Sequence, residues 1–471
     1  MKKATFTILA ALALSSCQLG PNFHGASAPE LPISWVNNLP PASKDEDLCT
    51  WWDAFQDPQL SALIQSGFAN NPDMVMAAIA MARAETELRA TKANLFPTVS
   101  ASFGGSNSGN YHTPTSHGQW NGGFSASWTP DIWGGTRREV EAAFAGVGSS
   151  RAAAAATRTA LAASIATAYF EWISAKESLR FARELLAYQE RTFNIVSRRV
   201  QSGFLANLDL AEARVSVSTT RAQIPTYEAN IKTCENTLAT YLGTTVDNVR
   251  LTMPSPKVYN RILRVPTGLP GDLLRRRPDI IRAEFQLHQA TARIGVQVAN
   301  LFPRITLTGN TSAGSSTDFA HFFNSAGWSL AGSVSQTLFN RTQLNANVEL
   351  ARLAEQESAQ NYRKVVLAAF AEVEDCLITY ARLVNQLPLY QQAARASKEA
   401  AELSQRVWQE GNSDFLNVAA AERSWLNAEL NLISARQQIR IVLARLCTAL
   451  GGGWTSSPEE PKDATSARAA E

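Results

Sequence analysis

The sequence predicts a mainly α-helical protein made of two similar halves, each running helix, strand, strand, helix. Three observations predict it. The pentapeptide Ala93-Asn94-Leu95-Phe96-Pro97 recurs unchanged, 206 residues on, as Ala299-Asn300-Leu301-Phe302-Pro303. Across each copy the period changes from helical to strict alternation. Downstream, long stretches repeat apolar residues every seven positions.

The chain has 471 residues and a net charge of +2, with acids and bases interspersed. That is no electrostatic footprint for nucleic acid. No run of 18 apolar residues exists, so no transmembrane helix is expected. Residues 1–16 read as a signal peptide: Lys2 and Lys3 are basic, and Ala4–Leu14 is an apolar run of secretory size. Leu14-Ser15-Ser16-Cys17 resembles a bacterial lipobox, in which the cysteine becomes the lipidated first residue. Gln18 after it, rather than an aspartate, resembles a signal for outer-membrane sorting. Cys49, Cys234, Cys376 and Cys447 show no CxxC spacing, which excludes a recognisable zinc site or disulfide framework.

Residues 17–58, rich in proline and tryptophan, read as a lipid-anchored tether. The first repeat is placed at 59–250, a linker at 251–269, the second repeat at 270–454 and a polar, disordered tail at 455–471. Leu60, Leu63, Ile64 and Phe68 share one face of a short helix to Asn70. Asn71-Pro72-Asp73 then starts a helix to Asn94, with proline at the first helical position and an acid in the first turn. Arg277-Pro278-Asp279 starts its counterpart, again 206 residues on.

Pro97 and Pro303 mark helix-to-strand junctions. After them, apolar residues alternate with small polar ones, the mark of strands with two unlike faces. Strands are expected at about 98–105 and 119–132, and at about 304–311 and 325–338. Glycine-, serine- and asparagine-rich loops, Gly104–Gly118 and Gly309–Ser316, are expected between them. Trp133 and Phe339, at the strand ends, are candidates for an interfacial aromatic belt.

From Arg137 to Gln201 there is no proline. Ile165, Trp172, Leu179, Leu186, Phe193 and Val200 form one heptad row. Leu161, Ala168, Ala175, Ala182, Gln189 and Val196 form the other. The matching row in the second half is Val373, Tyr380, Leu387, Ala394, Ala401 and Trp408, offset now by 208. Two extra residues are therefore expected along the second long helix. About 65 helical residues span roughly 100 Å. Shorter helices follow from Leu208 and Leu416, each stopped by a glycine, Gly243 and Gly451. The helix before the strands and this one sum to about 84 Å, nearly one long rod.

Four two-faced strands cannot close a barrel, and an unpaired edge is not tolerated in lipid. Several chains must therefore share one barrel, with the helical rods reaching away from it. The small serine and threonine face suits a wide wet lumen. A small soluble sheet capped by helices is the competing reading; the export signal and rods too long for such a sheet weigh against it. The five histidines are scattered, and no HExxH, P-loop or GxSxG occurs, so neither enzyme chemistry nor a cofactor beyond the lipid on Cys17 is expected. Arg275–Arg277 is an isolated basic triplet before a helix and reads as surface or interface.

The layout resembles the TolC-like outer membrane efflux channels, in the lipoprotein branch that includes OprM and NodT-type proteins. The resemblance covers nearly the whole mature chain. It rests on Cys17 with Gly20-Pro21-Asn22-Phe23, Trp51-Trp52 with Phe55, Asp57-Pro58-Gln59-Leu60, both Ala-Asn-Leu-Phe-Pro copies and Arg276-Arg277-Pro278-Asp279. It implies a homotrimer with a twelve-stranded membrane barrel and a coiled-coil periplasmic α-barrel. It also implies a periplasmic adaptor, an inner-membrane pump and outer-membrane lipid as partners. The implied function is passive conduction of small molecules such as drugs. A type I-like secretion duct and a lipid-anchored trimeric scaffold without a pore are the alternatives. The family's gate lies where the inner helices meet at the tip. Leu416 and Arg423 fit its pattern, and Ala420 stands where that pattern has an acid. Leu208, Asp209, Glu212 and Asp414 are further candidates near the tip. The acids read equally well as solvated helix-end charges, and Leu208 and Leu416 as ordinary tip packing.

Overall fold

The computed structural model describes residues 18–32, 34–36, 48–259, 270–315 and 319–454. The signal segment, Cys17, residues 260–269 of the linker and the tail 455–471 lie outside the described residues. The main elements are α1 (Pro58–Asn70), α2 (Pro72–Ala93), β1 (Thr98–Asn110), β2 (Thr113–Trp128), α3 (Gly135–Gln201) and α4 (Asn207–Tyr241). Then come α5 (Pro278–Ala299), β3 (Arg304–Ser315), β4 (Gly327–Ser335), α6 (Arg341–Gln409) and α7 (Phe415–Ala449). The starts of α2, β1 and α3 recur 206 residues on at α5, β3 and α6, whereas β4 starts 214 residues after β2. Helix α3 has 67 residues and α6 has 69, so the two extra residues lie within α6 as expected. Both α4 and α6 run unbroken through a proline, Pro225 and Pro388.

The chain divides into two compact units that do not follow the repeat boundary. One takes Ile79–Ala152, Ile281–Val365 and the N-terminal residues to Ala28. The other takes Pro29–Ala78, Ala153–Ile280 and the chain from Val366 onward. Each unit thus draws on both repeats.

The first unit carries the strands as one antiparallel sheet in the order β1-β2-β3-β4. The register pairs Ala101 with Phe124, Phe124 with Thr311, and Thr311 with Trp328. One face therefore collects Val99, Phe103, Phe124, Trp128, Leu307, Trp328, Leu330 and Val334, all exposed. The other collects serine, threonine, asparagine and glycine, with Ser100 and Ser125 hydroxyls bonded across the pair at 2.7 Å.

The expected strand and loop bounds are corrected here. Gly104–Gly118 is not a loop: β1 and β2 run through it, leaving Tyr111 and His112 as the turn. Small residues of low strand propensity are held extended by the ladder that β1 and β2 form with each other, which overrides that propensity. β2 also stops at Trp128 rather than 132. Pro130 has no N–H for a ladder, and its carbonyl accepts from Ile132 in a turn instead. In the second half, too, Gly309–Ser315 is strand and not loop, a short 3-10 helix Phe319–Ser325 follows, and β4 runs from Gly327 to Ser335 rather than from 325 to 338.

The N-terminal segment docks within this unit. Arg138, fully buried, donates from Nε to Leu19 O (3.1 Å) and from Nη2 to Gly20 O (3.3 Å) and Asn22 Oδ1 (2.7 Å). Gly20 is left-handed (φ 92°), and a Cβ there would meet Gly295 at 2.5 Å. Phe23 stacks on His288 at 4.5 Å. The Gly20-Pro21-Asn22-Phe23 motif is thus a docking sequence.

The second unit is built on the heptad rows. Leu161, Ala168, Ala175, Ala182, Gln189 and Val196 are all buried, as are Val373, Tyr380, Leu387, Ala394, Ala401 and Trp408. The alanines let neighbouring helices approach closely. Trp51, Trp52 and Phe55 precede α1 and join its core. Asp57 caps α1 by accepting from Gln59 and Leu60 N–H, and it takes the Tyr169 hydroxyl at 2.8 Å.

Candidate functional site: strand faces, junctions and helix tips

The channel that the resemblance implies would need a wall, a junction and a gate, and the sheet, the helix-to-strand turns and the helix tips are the candidates for them. The wall is the two-faced sheet. Its apolar face belongs against hydrocarbon and its small polar face against water. Edge strands β1 and β4 leave their outer backbone groups unpaired in a single chain.

The junctions are alike in both repeats. Leu95 N and Phe96 N donate to Lys92 O and Ala93 O, and Leu301 N and Phe302 N to Val298 O and Ala299 O. These tight turns end α2 and α5, and proline then sets the extended chain. The freed carbonyls are taken up by side chains from the strands and the turn after them. Trp128 Nε1 donates to Leu95 O (3.0 Å), Gln336 Nε2 to Leu301 O (3.1 Å) and Trp133 Nε1 to Pro303 O (2.8 Å). Trp133 also stacks on Phe302 at 4.9 Å. It lies beyond the end of β2, half-buried, and it locks a junction. Phe339 also lies beyond its strand and is 89% exposed.

The tips are matched turns. Phe204 N donates to Arg199 O and Asn412 N to Val407 O, each five residues back, over left-handed Gly203 (φ 77°) and Gly411 (φ 82°). This is the Schellman closure. Val196, Ala213, Trp408, Phe415 and Val418 form the tip core, with Trp408 edge-on to Phe415 at 5.5 Å and the Arg199 guanidinium 5.2 Å above Trp408. Leu416, Ala420 and Arg423, spaced four and three, share an exposed face pointing away from that core, with Leu416 61% exposed. Leu208 and Asp414 are exposed too. Asp209 and Glu212 are half-buried, and Asp209 Oδ2 accepts from Ala206 N (3.2 Å) as a helix-start bond. Asp414 stands at the N-cap of α7 without a side-chain cap bond.

Sequence reasoning passed over Glu422. It is almost fully buried and accepts from Gln189 Nε2 at 3.1 Å. Burial pushes its carboxyl up to about 7, partly offset by the Gln189 bond. The available signal was Gln189, the one polar member of an otherwise apolar heptad row. Among the described residues no group of histidines, cysteines and acids could hold a metal ion, and no helix is long and apolar enough to cross a membrane.

The family model for outer membrane efflux proteins matches residues 63–244 and 269–452. The chain belongs to that family. The antibiotic efflux pump outer membrane protein ArpC of Pseudomonas putida is 30% identical over 464 residues, covering 94% of each chain. The probable outer membrane lipoprotein SilC of Salmonella typhimurium is 30% identical over 453 residues, covering 94% of this chain and 96% of that one. Among solved structures, the open state of the Neisseria gonorrhoeae MtrE outer membrane channel superposes with a TM-score of 0.83 at 28% identity, over 93% of this chain and 99% of that one.

Members of the outer membrane efflux protein family are trimeric channels of tripartite pumps, not enzymes. The present chain is an outer-membrane channel protein of this kind, with a periplasmic helical extension. Four strands per chain give a closed barrel of twelve when three copies pair β1 to β4, which removes every open edge. Leu367, Ile378 and Leu389, exposed at 11-residue intervals along α6, form an apolar stripe suited to a neighbouring copy.

Proposed function

We propose that the trimer is the exit duct of a pump that takes small toxic molecules from the periplasm. A periplasmic adaptor seats on the helix tips, and an inner-membrane pump supplies the energy. The observation that carries this reading is the sheet with one apolar and one small polar face, which makes a wet lumen once three copies close it. The differing cargoes in the names of relatives, an antibiotic for ArpC and a cation for CusC, fit a wall that leaves cargo choice to the pump.

Cys17 is read as the acylation site that places the chain at the membrane. Support comes from the lipobox pattern and from the docking of Leu19–Asn22 by Arg138, only two residues further along. Phe339, exposed just past β4, is read as an interfacial aromatic. The gate is read at Leu416 and Arg423, on one exposed face beside the tip turn. Asp414, Leu208, Asp209 and Glu212 surround it as tip residues, and Ala420 removes the acid from the ring itself.

The test is export of a fluorescent dye from cells that lack their own outer-membrane channels. Expression of this chain with a periplasmic adaptor and an inner-membrane pump of the tripartite type should restore export, and omission of any one component should abolish it. Export that persists without the adaptor or pump would overturn the tripartite reading.

A further inference from the structure

Glu422 on α7 and Gln189 on α3 face each other inside a helix seam. Glu422 is 1% exposed and Gln189 5%. Above them lie Phe181, Leu185, Ala401, Trp425 and Leu426; below them lie Val196, Trp408, Phe415 and Val418. Phe415, Val418, Glu422 and Trp425 follow the three-four spacing of a coiled-coil seam, so a carboxyl occupies a place built for an apolar knob.

The pair makes one hydrogen bond, from Gln189 Nε2 to Glu422 Oε2 at 3.1 Å. Two buried oxygens are left over, Glu422 Oε1 and Gln189 Oε1, and neither has a partner. Two buried acceptors cannot satisfy each other, and each would bear a desolvation cost. A single proton on Glu422 resolves both. The carboxylic acid then donates to the Gln189 amide oxygen, and the amide N–H₂ continues to donate back, closing a two-bond ring.

We propose that Glu422 and Gln189 form a proton-binding site near the helix tip, which locks α7 to α3 when occupied and loosens them when empty. The proton comes from solvent and adds to a carboxylate oxygen; no other bond changes. The titratable groups around the pair are Tyr188 and Arg191 on α3, Glu402 and Lys398 on α6, and Arg423 beside Glu422 on α7. Tyr188 is occupied by its bond to Gln405, which in turn donates to Thr192 at 2.9 Å. Lys398 lies 5.8 Å from the Trp425 ring. The causes that set the Glu422 carboxyl are burial and Gln189 alone, with no ion pair to hold the charge.

The direction of the switch follows. A carboxyl raised from 4.5 to about 7 binds its proton more tightly in the folded seam than when exposed. The seam is therefore most stable in acid, and that stability is lost as pH rises from the ordinary carboxylate range toward 7.

The test is amide hydrogen exchange on the full trimer in lipid nanodiscs from pH 5 to pH 9, corrected for intrinsic exchange rates, read on peptides covering 185–192 and 418–426. Protection should fall by up to tenfold per pH unit below about 7 and level off above it. In Glu422→Gln, which keeps a reciprocal pair without a proton to lose, the dependence should vanish. If Glu422→Gln does not form trimers, Glu422→Met serves as the neutral comparison. Infrared spectroscopy of the wild type should also show a carboxylic acid band that disappears near pH 7 and is missing from the variant. A wild-type profile flat with pH, or equal slopes in wild type and variant, would overturn the site.

Discussion

Asn71 and Arg277 do the same work in the two repeats with different chemistry. Asn71 Nδ2 donates to Tyr241 O at 2.9 Å, and Arg277 Nη1 donates to Ala449 O at 2.8 Å. Each closes the last turn of a shorter helix, α4 or α7, from the residue just before the proline that starts α2 or α5. The expected end-to-end stacking of shorter helices is thus a built joint. Arg277 adds bonds to Asp279 and Glu372, and Asn71 Oδ1 accepts from Asp73 N at 2.7 Å.

The two joints should differ in sensitivity. Arg277→Ala leaves the buried Ala449 carbonyl unpaired and removes charge-assisted bonds to two half-exposed carboxylates, at a cost of about 2–4 kcal/mol. Asn71→Ala removes neutral bonds, at about 1–3 kcal/mol. Arg277→Lys should rescue poorly, because one ammonium cannot reproduce the fork. Thermal unfolding of the detergent-solubilised trimer, followed by circular dichroism, ranks the three.

Glycines of like conformation should also part company. Gly203 is left-handed with open space around it, so Gly203→Ala carries a backbone cost of about 1–2 kcal/mol alone. Gly243 (φ 63°) would place a Cβ 2.3 Å from Asn70 O, and Gly451 (φ 83°) one 2.7 Å from Arg276 O. Gly243→Ala and Gly451→Ala should therefore unfold several degrees below Gly203→Ala. Equal melting points would mean that the helix joints are looser than described.

The face assignment of the sheet makes a paired prediction. Leu307→Arg puts a charge against hydrocarbon and should cost about 2–4 kcal/mol of barrel stability, preventing heat-resistant trimers on gels. Thr308→Arg, one residue on and on the opposite face, should assemble normally and change single-channel conductance.

At the proposed gate, Leu416→Ala should raise conductance in planar bilayers, and Arg423→Ala should do so independently. Unchanged conductance in both would remove the gate from this face of α7 without touching the fold.

Long-range architecture was legible because periodicity is local. The heptad rows predicted buried residues from Leu161 to Trp408, and the repeated pentapeptide placed both junctions. Strand extents were not legible. Gly104–Gly118 holds few strand-favouring residues, and composition gives no signal for the ladder that its two arms form with each other across the hairpin turn. Trp133 was placed by its neighbourhood at a strand end, and the junction carbonyl that its indole N–H reaches, Pro303 O, lies 170 residues on, beyond what local pattern can show. Glu422 was invisible for another reason: a carboxyl on a helix reads as solvated until packing on both sides is known. Asn71 and Arg277 were read as parts of helix starts, and only the distant carbonyls they cap show their larger role.

The small polar face of the sheet has a last consequence. In register it carries Arg304 at its first pair and His117 near the hairpin turn; between them stand serine, threonine, asparagine, glutamine, glycine and alanine. A wall of this kind has dipoles but almost no fixed charge, so it sets up little field along the conduit. A salt gradient across the barrel segment should therefore produce a reversal potential near zero, with any preference for one ion sign arising at the Arg304 mouth or at the tip. Discrimination is left to the entrance, and the exit is free to pass molecules of either sign.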